Sequence, residues 1–100
     1  MLTPEKAIKL LQERREYLRT EYGVTKIGIF GSFASGSSGD ASDVDIVVEF
    51  DHPIGYRFVE LAEYLEELLG RQVDILTPAG IQAIRAYDVA QSIKESIVYV

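Results

Sequence analysis

The run Val44-Asp45-Ile46-Val47-Val48-Glu49-Phe50 constrains the fold most. It is rich in β-branched and apolar residues, so it reads as a strand buried on at least one face. Asp51-His52-Pro53 ends it. Its second position is an aspartate, which opposes β-propensity. Burying an unpaired charge there is costly. Such a conflict between local sequence and local structure tends to mark a functional position.

Two further segments have strand character. Lys26-Ile27-Gly28-Ile29-Phe30 precedes the run, and Gln72-Val73-Asp74-Ile75-Leu76 follows it. Helical patterns separate them. Thr3-Pro4-Glu5 is a helix start: a hydroxyl cap, a proline in the first turn, then an acid near the positive end of the dipole. Ala7, Ile8, Leu11, Leu18 and Tyr22 recur at helical spacing up to Gly23. Phe58, Leu61, Ala62, Leu65, Leu68 and Leu69 trace a second stripe that ends at Gly70. Thr77-Pro78 repeats the start signal, and Asp88 is a candidate cap for a last helix carrying Val89, Ile93 and Ile97. The apolar tail Ile97–Val100 either packs down or meets a partner. The expected order is helix, strand, short turn or helix, strand, helix, strand, helix, helix. This is an α/β (α+β) pattern with a small mixed three-stranded sheet flanked by helices. Strand order stays open.

At 100 residues the chain has the length of one domain, expected to span 1–100. That leaves no room for a separate acceptor-binding domain, so an enzyme of this size takes its specificity from an acceptor that docks. There are no cysteines, hence no disulfide or thiolate chemistry. The N-terminus lacks the apolar run of a signal peptide, and no stretch approaches the ~20 apolar residues that span a bilayer. A cytoplasmic chain without membrane contact is expected. Net charge is −6, and the only basic cluster, Lys6, Lys9, Arg14, Arg15 and Arg19, is interleaved with Glu5, Glu13, Glu16 and Glu21. It reads as a solvated helix face rather than a counterion-releasing surface, so no direct nucleic-acid binding is expected.

The chemistry concentrates in Gly31-Ser32, ten intervening residues, then Asp43-Val44-Asp45. Positions i and i+2 of a strand share a face, which holds two carboxylates about 6–7 Å apart, a span that suits divalent ions. Asp43 also reads as an ordinary loop-to-strand acid. Gly31-Ser32 follows a strand and opens a short helical turn, where backbone amides and the Ser32 hydroxyl suit a phosphate. Taken alone it is a plain strand–turn, and it lacks the lysine of a P-loop. Asp74 sits mid-strand among apolar residues. It is either an edge-strand acid facing water or a third carboxylate that completes an ion's oxygen shell and serves as base. Arg57 and Arg85 are candidates to reach phosphates, and His52, the only histidine, reads as a solvated loop residue.

The Gly-Ser, the Asp-x-Asp ten residues on and a third acidic strand resemble the DNA polymerase β-type nucleotidyltransferase superfamily. The strings GSFASG, SDVDIVVEF and VDILTP resemble its minimal nucleotidyltransferase branch, over nearly the whole chain. The resemblance implies that Gly31 and Ser32 hold the triphosphate of ATP. Asp43 and Asp45 would bind two Mg²⁺ ions, and Asp74 would join them and position or deprotonate the acceptor. It implies an antitoxin that transfers AMP to a tyrosine of a HEPN-domain ribonuclease toxin and forms a complex with it. The branch usually has arginine where this chain has Ser35, a departure that either lowers nucleotide affinity or is plain variation. That departure motivates a second reading, a binding-only antitoxin. A third, a small-molecule (aminoglycoside-type) nucleotidyltransferase, lacks a second domain to hold the acceptor.

Overall fold

The computed structural model describes residues 2–36, 43–83 and 87–100. The elements are α1 (Pro4–Glu13), α2 (Arg15–Tyr22), β1 (Val24–Phe30), α3 (Gly31–Ser35), β2 (Val44–Phe50), α4 (Arg57–Leu69), β3 (Val73–Leu76), α5 (Pro78–Gln82), α6 (Tyr87–Ser96) and β4 (Val98–Tyr99). The sheet order is β3-β2-β1-β4. β1 pairs antiparallel with β2 and with β4, while β2 and β3 are parallel. The mixed sheet expected from sequence is present, and the tail adds a fourth strand to it.

Both predicted hydroxyl caps form. The Lys6 amide donates to Thr3 Oγ1 at 3.1 Å, and the Gly80 amide donates to Thr77 Oγ1 at 3.1 Å. The first helical pattern, expected to run unbroken to Tyr22, divides at Arg14, whose backbone leaves helical values at φ −106°, ψ 5°. The stripe gives the reason. After Ala7 and Leu11 the next inward positions are Arg14 and Arg15, so packing cannot hold the helix straight there. Leu18 and Tyr22 resume the contact in α2. Asp88 falls inside α6, which begins at Tyr87, and so does not precede it.

Side-chain alternation gives the sheet two apolar faces. Ile27, Ile29, Val44, Ile46 and Val48 join Ala7, Leu11, Leu18, Leu61, Leu65 and Phe33 in the main cluster, under α1, α2 and α4. Phe30 and Val47 face the other way and pack with Ile81, Leu76, Ile93 and Ile97 of α5, β3 and the α6–β4 segment. The two clusters hold the sheet in place from both sides.

β4 is held by close backbone approach. The Val100 amide donates to the Ile27 carbonyl at 2.9 Å. A Cβ at Gly28 would lie 2.7 Å from the Val98 carbonyl oxygen and 3.0 Å from Tyr99 Cα, both backbone atoms. Glycine in a strand interior weakens it but admits a neighbouring backbone. Val98 and Tyr99 remain 43% and 50% exposed, so β4 itself docks through its main chain. Gly28→Ala should therefore undock β4 while β1–β2 survives. Hydrogen exchange is expected to show the Val100 amide losing protection well before the amides of Ile46 and Val48.

Candidate active site

Topology brings the predicted residues to one end of the sheet. β1 ends at Phe30 and runs into Gly31. β2 returns antiparallel, so its start lies beside that end, and β3 is parallel to β2, so its start lies there too. The register is direct: Phe30 faces Asp45, and Asp45 faces Asp74. Paired residues point to the same side of a sheet, so the Asp45 and Asp74 carboxylates share the face that carries Phe30 and Val47. Asp43, exposed and one residue ahead of β2, has the same parity as Asp45. Asp45 is half-buried and Asp74 is exposed on the edge strand. Asp74 is thus an edge-strand acid facing water, and it stands beside a second carboxylate.

Gly31 is required by geometry at this point. Its φ is +73°, in the left-handed region, and a Cβ there would lie 2.5 Å from Asp45 Oδ2. The bare backbone lets the Asp45 carboxylate lie against the turn. The sequence reading gave Gly31 a role in admitting phosphate. The structure adds a contact within the protein, with the metal-candidate carboxylate itself. Ser32 is the second residue of α3, which is anchored by Phe33, 2% exposed in the main cluster.

The electrostatics follow from this packing. The Asp45 carboxyl is held above its ordinary value, first by burial, then by the Asp74 charge, then by the Asp43 charge. The site is therefore poised to accept positive charge. Among the described residues no three His, Cys, Asp or Glu side chains lie close enough together to hold a metal ion unaided. Taken singly, Asp43, Asp45 and Asp74 are hard-oxygen donors of the type that binds divalent ions.

Arg57 does not reach this end. Its guanidinium donates to the Glu21 carbonyl and to Glu21 Oε1 (3.1 Å), pairs with Glu60 (3.3 Å) and stacks 4.7 Å over Tyr22. Those residues flank the start of β1, at the opposite end of the sheet. Arg85 lies outside the described residues. His52 is exposed beside Asp51, away from the carboxylates. A concavity of about 800 Å³ is also elsewhere: Arg15, Arg19, Thr25, Lys26 and Tyr99 line it, and Asp43, Asp45 and Asp74 are not among its lining residues.

The structure adds two residues that sequence did not single out. Ser96, at the end of α6, accepts a long hydrogen bond from the Gly31 amide (3.5 Å) and donates to the Ile93 carbonyl (2.9 Å). Arg71 places its guanidinium 5.8 Å from the centre of the Phe33 ring. Nothing local marks Ser96.

Residues 11–100 match the family model described as a nucleotidyltransferase domain. The chain is 39% identical over 101 residues to the protein adenylyltransferase MntA of Thermococcus cleftensis, covering 100% of this chain and 98% of that one. It is also 39% identical over 103 residues to a Methanocaldococcus jannaschii protein provisionally named a protein adenylyltransferase, with both chains fully covered. Among solved structures it is similar to one provisionally assigned as a minimal nucleotidyltransferase, with a TM-score of 0.69 and 28% identity over 97% of this chain and 95% of that chain. It is likewise similar to a chain of a toxin–antitoxin crystal structure with AMP-PNP, with a TM-score of 0.61 and 25% identity over 98% of this chain and 72% of that chain. With the Gly-Ser turn, the Asp-x-Asp strand and the third acid gathered at one sheet end, the chain belongs to the nucleotidyltransferase domain family and is a nucleotidyltransferase.

Proposed function

We propose that this chain transfers AMP from ATP, with Mg²⁺, to a tyrosine hydroxyl of a HEPN-domain ribonuclease toxin, and is that toxin's antitoxin. The observation that carries the reading is the register of Asp45 with Asp74, with Asp45 lying against Gly31. It sets one carboxylate against the turn expected to hold the triphosphate and a second carboxylate next to the first. The relative named protein adenylyltransferase MntA and the toxin–antitoxin structure with AMP-PNP support the protein acceptor and the nucleotide.

In this reading Gly31 and Ser32 hold the phosphates and fix the α-phosphorus. Asp43 and Asp45 would hold magnesium, with Asp74 completing the set. Bound ions would neutralise phosphate charge and lower the pKa of the acceptor hydroxyl. The acceptor oxygen bonds to the α-phosphorus as the bond from that phosphorus to the bridging oxygen breaks. Pyrophosphate leaves with that oxygen, and the hydroxyl proton passes to Asp74 as general base. Catalysis is mostly positioning and charge compensation. Asp74 suits the base role because it is the exposed acid on an edge strand, where an acceptor has access.

The direct test mixes the purified chain with its partner toxin, labelled ATP and Mg²⁺. Mass spectrometry is expected to find AMP on a toxin tyrosine. A stable complex that carries no AMP at any metal concentration would favour the binding-only reading that Ser35 motivates.

Three substitutions separate the roles. Asp45→Asn should cut transfer at least about tenfold while raising the melting temperature in the absence of divalent ions. The sign follows from linkage: an acid whose folded pKa is raised binds more protons folded than unfolded, so stability falls as pH rises through the window above its ordinary 3.8. The thermal gain of the variant should be present at neutral pH and vanish near pH 3.8. Asp74→Asn should bind the triphosphate as wild type does but transfer at least tenfold more slowly, about 1.4 kcal/mol in the barrier. Single-turnover labelling beside calorimetry resolves the two quantities. Gly31→Ala should do the reverse of Asp45→Asn to stability, losing roughly 1–2 kcal/mol to the left-handed backbone alone. It should also weaken triphosphate binding, because the new Cβ pushes the Asp45 carboxylate aside. Thermal melts and calorimetry on the same sample check both.

A further inference from the structure

Glycine has more accessible backbone conformations than any other residue, so a turn built on it does little to set its own geometry. Gly31 is such a residue, and it is held from two sides. A Cβ there would lie 2.5 Å from Asp45 Oδ2, so the Asp45 carboxylate lies against it. Its amide donates to Ser96 Oγ at 3.5 Å. One restraint comes from β2 and the other from the last residue of α6, and they meet where β1 turns into α3.

A serine hydroxyl has one proton and two lone pairs. The Ser96 proton is committed to the Ile93 carbonyl at 2.9 Å. Toward Gly31 the oxygen can therefore only accept. In that state it suits an amide and repels a phosphate oxygen, so it serves the turn and not a bound phosphate. Bonding the carbonyl three residues back is a common local arrangement for serine. The contact with Gly31, 65 positions away, is not local.

Packing fixes the hydroxyl in place. Ile93 and Ile97, on either side of Ser96, pack with Phe30 and Val47 in the second cluster. Phe30 immediately precedes Gly31 and stands opposite Asp45 in the register of β1 with β2. Ser96, Phe30 and Asp45 thus hold the turn from the face that carries the acids. Rotating the Phe30–Gly31 peptide unit breaks the Ser96 bond.

We infer that Ser96 is a positioning residue of the nucleotidyltransferase site: by accepting the Gly31 amide it fixes the peptide plane of the turn, so that Ser32 meets the triphosphate in one orientation. The inference rests on the proposed placement of the triphosphate at Gly31-Ser32. Without the hydroxyl the turn is freer, and the triphosphate must order it on binding.

The test compares wild type with Ser96→Ala and Ser96→Thr. Threonine keeps the hydroxyl, and in a helix it too bonds the carbonyl one turn back. Hydrogen exchange should show the Gly31 amide losing about threefold or more of its protection in Ser96→Ala. The amides of Ile46 and Val48 should not change, and Ser96→Thr should keep most of the Gly31 protection. Calorimetry with a non-hydrolysable ATP analogue and Mg²⁺ should find binding about fivefold weaker in Ser96→Ala and within about twofold of wild type in Ser96→Thr. In transfer assays KM for ATP should rise more than kcat falls. A Ser96→Ala variant that melts lower yet binds the analogue as wild type does would give Ser96 a role in stability alone and overturn the inference. So would unchanged Gly31 exchange, or a Ser96→Thr variant that protects the Gly31 amide but binds as weakly as Ser96→Ala. If wild type itself fails to bind the analogue, the triphosphate reading of the turn falls. Equal binding by wild type and Ser96→Ala leaves that reading standing and removes only this inference.

Discussion

The site depends on a parallel strand pair that places like charges side by side. β2 and β3 join in register, so Asp45 stands beside Asp74 on one face. Like charges directly opposite on neighbouring strands repel, and Asp45 also loses solvent. Nothing at that position favours folding. The cost is offset elsewhere in the same strands: Val44, Ile46, Val47 and Val48 are almost wholly buried, and fully burying such a side chain is worth roughly 1.5–3 kcal/mol. The apolar residues of β2 thus hold an acid where it would not otherwise sit, and the strained carboxylate is left with a deficit that a cation can relieve.

How much of this was legible in the sequence depends on how local each signal is. The caps at Thr3 and Thr77, the stop at Gly70, and the strand 44–50 are set by neighbouring residues, and they appear where expected. The pairing of Asp45 with Asp74 is non-local. Sequence showed two acids in two apolar strands and could not supply the strand order that makes them neighbours. The Arg14 break was readable in part, since the inward stripe is interrupted by two arginines, yet neither glycine nor proline marks it. β4 was not readable: Val98-Tyr99 is only two residues long, and its partner is defined by the absence of a side chain at Gly28. Arg57 looked as eligible as any arginine for a phosphate, and the fold turns it to Glu21, Glu60 and Tyr22 instead.

The glycines at 28 and 31 lie three residues apart and do different work. Gly28 admits a backbone, that of β4, and so closes the β1 edge of the sheet. Gly31 admits a side chain, that of Asp45, and turns the chain into α3. One keeps the tail docked and the other sets the carboxylate against the turn. Between them Ile29 and Phe30 are buried on opposite faces, so the segment 28–31 is fixed from both sides of the sheet.

The same segment is tied to the far end of the chain. The Gly31 amide reaches Ser96 Oγ, whose own proton goes to the Ile93 carbonyl. Ser96 ends α6 and is followed by Ile97, which packs with Phe30 and Val47 under the acid-bearing face, and then by β4. The turn, the second apolar cluster and the edge strand therefore share one short stretch of backbone. A long hydrogen bond of 3.5 Å is a weak restraint by itself. It gains rigidity because Ile93 and Ile97, on either side of Ser96, are held by packing. The turn is consequently tied to residues more than sixty positions away, while the carboxylate it faces comes from β2, the next strand of the chain. The end of the sheet that carries the turn and the acids thus draws on β1, β2 and β3 directly and on β4 through Ser96 and Ile97.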